Sequence, residues 1–544
     1  MKVGAAIVEI LKREGVEQMF GYPLNAITEF GAAAGLRPIV TRAERTAAHM
    51  ADAVARVTSG GRIGVFFTQH GPGIENAFGA IAQAYSESVP ILVLPMGYAR
   101  RHAHIEPNFN SAASLRSVTK SVEPLIRAAD VPHVFRRAFS HLRNGRGGPV
   151  VVEIPLDLWQ EETELEGYAP VSGTRYGPDP ADVERAVDLL LAAKRPVLYA
   201  GQGVHYARAW PELKALAERL ALPVMTSLEG KSAFPEDHPL ALGAGGRAVP
   251  KTVSHFLERA DLILGIGCSF TESSYAVPMP RGRTIIHSTL DPRHLHKDIG
   301  ATIGLIGDAG LTLSAILADI DSRATERRPH ETVAHEIASV RAEWLAAWKP
   351  RLMAEATPLN PYRVIWDLIH TVDAADTIIT HDAGCPRDQL AAFWVSKAPL
   401  SYLGWGKTTQ LGYGLGLAMG AKTVHPEKLC INVWGDAAFG FTGLELETAV
   451  REGIPVLSVL FNNSSMATEL PMMQLSTGKY GTTNVGGDYT AIARALGAYA
   501  ERVVQPSEIV PALRRGIEQT RRGVPALLEF ITSQETAFSG MADG

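Results

Sequence analysis

WGDAAFGFTGLELETAVREGIPVLSVLFNNSS, residues 434–465, carries the end of one apolar run, a helical pattern and a second apolar run. Residues 430–434 read as a strand that closes in Gly435-Asp436. A helix follows, with Leu444, Leu446, Ala449 and Val450 on its apolar side. The next strand, 456–461, ends in Asn462-Asn463. A strand–helix–strand unit of this kind joins parallel strands. It therefore sets Asp436 and Asn463 at neighbouring carboxyl ends, where open α/β sheets bind ligands.

The same alternation extends in both directions. RIGVFFT (62–68), VPILVLPM (89–96) and PVVVEIP (149–155) are predominantly apolar and bounded by Gly and Pro, as suits strands buried on both faces. A middle set follows: RPVLYAGQG, ALPVMTS, ADLILGIGC, RTIIHSTLD and IGLIGDAG. A last set holds TIITHDAG, LCINVWGD, PVLSVLFNN and PALLEFIT. Two stretches read as linkers, the Gly/Pro-rich 161–180 and the charged segment around 322–336. The expected fold class is α/β, with three doubly wound parallel-sheet domains over 1–165, 180–322 and 355–535. No short-period repeat interrupts this reading.

Composition narrows the function. The 544 residues include 52 Lys and Arg against 57 Asp and Glu, a net charge of −5 without a basic tract, so nucleic acid is not an expected partner. Three scattered cysteines, Cys268, Cys385 and Cys430, form neither a disulfide framework nor a zinc site and suit a reducing compartment. The N-terminus reads as an amphipathic helix that enters the fold directly. No apolar run reaches the roughly 18 residues of a membrane span. The expectation is a cytoplasmic protein acting on small molecules, with no membrane and no nucleic acid.

Asp436 and Asn463 offer hard oxygens. A carboxylate, an amide oxygen and a main-chain carbonyl suit Mg²⁺ or Ca²⁺ carrying a diphosphate. Gly435-Asp436 and the Asn pair, with Asp436 and Asn463 27 positions apart, resemble the fingerprint of thiamine-diphosphate-dependent enzymes of the acetolactate synthase and 2-keto acid decarboxylase kind. The third fingerprint residue is Ala437 instead of Gly, a small change expected to be tolerated. The resemblance spans roughly 1–535. It implies Asp436, Asn463 and the Ser465 carbonyl as metal ligands. It also implies cofactor contacts by Gly435, Ala437, Ala438 and Met466.

The first block resembles the pyrimidine-binding half of the same family. In RAERTAAHMADAVAR, Glu44 stands 12 positions before Arg56, with Ala53-Val54 where the family has Gly-Tyr. The resemblance makes Glu44 the acid that meets the aminopyrimidine; the plain alternative is an exposed Glu at a helix start. TQHGPGIEN places Gln69 and His70 on a tight Gly turn, with Gly71 and Asn76 expected at the cofactor. MFGYPLNAI resembles a Phe-Gly-x-Pro-Gly segment, with Leu24 for the second Gly, Pro23 at the cofactor and Asn25 at a substrate-facing position. Leu411, in GWGKTTQLGYG, matches the residue that wedges the bent cofactor, or is a core leucine. Glu469 matches an acid of keto-acid decarboxylases, or lies on a helix surface.

The middle block resembles the central domain, which in acetolactate synthases holds FAD. The usual Arg-bearing segment is replaced by SFTESSYA (269–276), so FAD, ADP or another nucleotide, and no ligand all stay open. The resemblance implies a homodimer or homotetramer with the active site between subunits. Its chemistry is cleavage and formation of a carbon–carbon bond beside a carbonyl, with Glu44, His70, Gln69, Asn25 and Glu469 as candidates for proton handling. The substrate class is a 2-keto acid or an acyl or aldehyde compound. Three other readings stand beside it: a 2-hydroxyacyl-CoA or acyloin lyase, a non-catalytic cofactor-binding regulatory paralogue, and a nucleotide-dependent oxidoreductase. The last would need a full Gly-x-Gly-x-x-Gly loop, of which GIGCSF is a fragment.

Overall fold

The apolar runs gather into three six-stranded sheets, every pairing within them parallel. The computed structural model describes residues 1–540 apart from 104, 324–325 and 327. Across the first sheet the strands run Arg37–Val40, Gln18–Gly21, Gly64–Thr68, Ile91–Gly97, Val150–Pro155, Ser121–Pro124. Across the third they run Tyr402–Leu403, Thr377–His381, Leu429–Gly435, Leu457–Asn462, Ala526–Ile531, Tyr499–Val503. Numbered within each unit, both read 2-1-3-4-6-5. The central sheet runs Ile303–Ile306, Thr284–Thr289, Leu262–Ile266, Pro196–Ala200, Val224–Ser227, Ala241–Gly245, which is 6-5-4-1-2-3. That is the dinucleotide-binding order, with its crevice where the order reverses. The three doubly wound α/β units expected from the sequence are therefore present.

The first and third units meet through equivalent helices, Glu44–Val57 and Tyr413–Val424, each following the second strand of its sheet. Their close crossing depends on small residues. A Cβ at Gly416 would fall 2.5 Å from His49 Cβ, and one at Gly420 would fall 2.4 Å from the Met50 carbonyl oxygen. The seam also buries charge in pairs. Arg56 donates to Asp52 and to the Gly404 carbonyl, and Tyr413 Oη donates to Asp52 Oδ2 at 2.8 Å. A buried pair of this kind is weak evidence of added stability, but losing one partner would leave the other an uncompensated charge.

Two sequence expectations change. The helix after Asp436 is two helices, Asp436–Thr442 and Glu445–Glu452. Leu444 sits at the break and is 55% exposed, whereas Leu446 and Ala449 are buried and Val450 packs on the core. The charged segment 322–336 is no simple linker: the helix Glu331–Leu352 begins within it, and residues 324, 325 and 327 lie outside the described residues. The stretch 161–180 has no helix or strand before Pro180 beyond one bridge between Lys2 and Glu162. Among the described residues no helix is long and apolar enough to cross a membrane.

Candidate active site

The strand Leu429–Gly435 delivers Asp436 to the start of a helix, and the adjacent parallel strand Leu457–Asn462 delivers Asn463. Asp436 is 3% exposed. Its Oδ1 accepts from the Ala437 N–H at 2.8 Å, and its Oδ2 accepts from the Ser464 N–H at 2.7 Å. Burial pushes its carboxyl up to about 6 against the main-chain hydrogen bonds that favour the charged form. Among the described residues no Lys or Arg forms an ion pair with this carboxylate, and a divalent cation would supply the missing charge. Asn463 Oδ1 accepts from the Ser465 N–H at 3.0 Å, closing a turn around Ser464, whose φ of 56° is left-handed. Ser465 Oγ is buried without a partner. Among the described residues no three His, Cys, Asp or Glu side chains form a metal cluster, but one carboxylate, one amide and one carbonyl are a different ligand set. These donors fit Mg²⁺ with a diphosphate. Ala437 is compatible with that role because its backbone is right-handed helix and no glycine conformation is needed.

A cavity of about 150 Å³ opens here. Asp436, Ala437, Ala438, Asn463, Ser465, Met466, Leu411 and Glu469 all line it, together with Gly435. Leu411 is partly buried against the core as well, so it lines the cavity and packs at once. Glu469 stands on a turn, not on a helix. The opposite wall, 383–387, comes from the end of the strand Thr377–His381 and the start of the helix Cys385–Phe393. Sequence reasoning passed over this wall; its signal was TIITHDAG running directly into a helix. Asp382 was missed too. Buried and pushed up to about 7 by that burial, it accepts from the N–H groups of Ala383, Gly412 and Gly414 and so fixes the Leu411 loop.

The first-unit candidates form a separate group. Glu44 begins its helix and is 6% exposed, and Asn76 Nδ2 donates to its Oε2 at 3.3 Å. The surface alternative for Glu44 is excluded by this burial. The helix start is anchored by Glu445 of the third unit, which accepts from the N–H groups of Arg42 and Ala43. No spacing in the sequence pointed to that contact. Gly71 has φ 61°, and a Cβ there would lie 2.9 Å from Tyr98 Oη. His70 packs against Tyr98 with ring centroids 4.5 Å apart and planes tilted by 58°. Burial lowers the His70 imidazole from its ordinary value, which keeps it neutral near pH 7. Its Nδ1 is buried without a partner. Gln69 is partly exposed beside it. Pro23 is exposed on the neighbouring loop. Asn25 is spoken for: its Nδ2 donates to the Thr68 and Leu94 carbonyls, and its Oδ1 accepts from the Ile27 N–H. It therefore holds the loop and has no free donor for a substrate. None of these residues lines the Asp436 cavity, whose walls come from 361–533 and Tyr275.

A larger cavity, about 560 Å³, lies at the order reversal of the central sheet. Gly201, Gly203 and Gly267 bring main chain close together there, and a Cβ at Gly201 would fall 2.5 Å from the Gly267 carbonyl oxygen. Arg143 and Arg146 of the first unit and Lys407 of the third also line it.

Sheets, strand ends and the Asp436–Asn463 turn define a class, and sequence comparison gives the same one: the chain belongs to the thiamine pyrophosphate enzymes. Residues 1–117 match the thiamine pyrophosphate enzyme N-terminal TPP binding domain, 183–316 the central domain and 382–530 the C-terminal TPP binding domain. Within that family it is acetolactate synthase-like. It is 32% identical to a probable acetolactate synthase large subunit of Methanocaldococcus jannaschii, over all of this chain and 94% of the relative. It is 29% identical to the acetolactate synthase isozyme 3 large subunit of Escherichia coli (strain K12), over 95% and 92%. It is also 28% identical to a glyoxylate carboligase of Escherichia coli O157:H7, over 99% and 94%.

Proposed function

We propose that the protein joins two carbonyl compounds, a 2-keto acid donor and a second carbonyl acceptor, with thiamine diphosphate and Mg²⁺. The observation that carries this is the buried turn that sets Asp436, Asn463 and Ser465 around one cavity. Similarity to two acetolactate synthases and a carboligase supports ligation over the lyase readings. The unit 355–535 would hold the diphosphate and metal, 1–165 the aminopyrimidine through Glu44, and 180–322 a nucleotide, FAD or another, in the central cavity.

Thiamine diphosphate, when bound, would supply a carbon nucleophile and an electron sink. The chain does the rest. Asp436, Asn463 and the Ser465 carbonyl would hold the metal. The Glu44 carboxyl, steadied by Asn76, holds or releases a proton at the ring nitrogen it meets. Neutral His70, its Nδ1 buried and unpaired, is a second group able to accept or donate a proton. Glu469 is the acid on the cavity's own wall.

Among the described residues, the walls of the Asp436 cavity include none of the first unit, which supports a homodimer at least, and a tetramer by doubling, in which a partner's first unit covers that cavity. Three free, buried cysteines support a cytoplasmic setting. The test is incubation with thiamine diphosphate, Mg²⁺ and a panel of 2-keto acids, with carbon dioxide and ligation products read by mass. Turnover of none of the acids, with cofactor bound, would sink the reading.

A further inference from the structure

Arg387 enters the Asp436 cavity from the helix Cys385–Phe393 and is 2% exposed. Its Nε and Nη2 donate to the equally buried Asp388 at 2.9 and 3.0 Å. The Tyr275 ring, from the central unit, covers the guanidinium at 4.4 Å and lines the same cavity. Nη1 has no hydrogen-bond partner.

An arginine presents its donors as a fork shaped for carboxylates. Here Asp388 fixes one edge, Tyr275 covers one face and the remaining donor is unused. A buried donor left unmet is unfavourable, which marks it as awaiting an acceptor. The charge balance of the cavity points the same way. Among the described residues that line it, Arg387 is the one Lys or Arg, facing Asp436 and Glu469. An anionic substrate entering between two acids needs a cation. Tyr275 lies outside any helix or strand, in 270–283, so the cover over the guanidinium is not locked by a ladder or a helix.

We infer that Arg387 receives the carboxylate of the donor substrate through Nη1, with Asp388 and Tyr275 holding the guanidinium in place. This rests on the 2-keto acid reading above. Removing Arg387 alone would strand Asp388 as a buried charge, so the informative variant is Arg387→Met with Asp388→Asn, beside Arg387→Lys. The probes are methyl acetylphosphonate, a monoanionic analogue of pyruvate, and neutral acetaldehyde. Calorimetry reads binding of cofactor with Mg²⁺ and then of each probe, and NMR reads proton exchange at the cofactor's C2. The double variant should keep cofactor affinity, exchange rate and acetaldehyde affinity. It should bind the phosphonate roughly 10- to 100-fold more weakly, with partial recovery in Arg387→Lys. Unchanged phosphonate affinity would overturn the assignment. A fall in cofactor affinity would overturn it as well, since Arg387 would then serve the diphosphate. If the wild type binds no cofactor and shows no exchange, the proposed function fails first and this inference with it.

Discussion

The first and third units share one strand order, 2-1-3-4-6-5, yet present different chemistry at the same edge of the sheet. In the third, the ends of the third and fourth strands carry Asp436 and Asn463, and a cavity opens between them. In the first, the end of the third strand carries the Gln69–His70 turn, and the acid is Glu44, on the helix after the second strand. One edge offers hard oxygens, which would suit a metal and a diphosphate. The other offers a buried carboxyl steadied by an amide. Topology alone would not tell them apart; the residues at the strand ends do.

The largest expected effect breaks the third edge. Asp436→Ala removes the charged metal ligand, and metal-dependent retention of thiamine diphosphate should vanish in calorimetric titration. Binding as in the wild type without divalent metal would refute the assignment. The first edge should behave otherwise. Glu44→Gln keeps a hydrogen-bonding group, so cofactor affinity should persist while proton exchange at C2 slows at least about a hundredfold, roughly 2.7 kcal/mol in the barrier. Exchange at the wild-type rate would remove Glu44 from catalysis. Mixing the two inactive variants sharpens the comparison. If a site takes Glu44 from one chain and Asp436 from its partner, random reassembly should restore activity to roughly a quarter of wild type. No recovery after subunit exchange would place both residues in one chain.

The third edge was legible in the sequence because its residues follow directly on two apolar runs at a readable spacing. The sheets were legible for the same reason, since strands buried on both faces have no polar alternation to confuse them. What the sequence hid depends on contacts between distant segments. Glu445 anchors the start of the Glu44 helix from about 400 residues away. Asp382 ties down the Leu411 loop. Asn25 reads as substrate-facing by position, but its amide is consumed by the Thr68 and Leu94 carbonyls. No local pattern announces such bonds.

The seam between the two units carries its own signature. His49 is buried between the equivalent helices, its ring 4.1 Å from that of Tyr413 and its Nε2 3.2 Å from Gln410 Oε1. Burial, aided by the Arg45 charge, pushes its imidazole down to about 3 against the Gln410 hydrogen bond. The unfolded chain takes up this proton near pH 6.5 and the folded chain does not, so stability is complete above that pH and falls below it. Between pH 6.5 and 5 the loss is about 2 kcal/mol from this residue. His49→Phe keeps a ring against Tyr413 and removes the titration. Its denaturation profile across that window should be flatter by this amount, and an identical slope in both proteins would discount the seam.

The smallest expected effect concerns two departures from glycine, one on each edge. Ala437 replaces glycine in a right-handed helix and needs no adjustment. Leu24 replaces glycine at φ 77°, where a side chain crowds its own carbonyl. The left-handed conformation costs a non-glycine residue roughly 1–2 kcal/mol. Leu24 is also 67% exposed, so burial in this chain returns little of that. Leu24→Gly should relieve the strain but give back about 0.5–1 kcal/mol through the freer unfolded chain. The net gain lies between zero and about 1.5 kcal/mol, seen as a small rise in the denaturation midpoint. Glycine substituted for Ala437 meets no strain to relieve and should lower stability by a similar amount, as it does inside helices. The two edges thus predict opposite signs for the same kind of substitution. A midpoint that falls for Leu24→Gly would mean that Leu24 makes contacts in the assembled protein that outweigh its backbone strain.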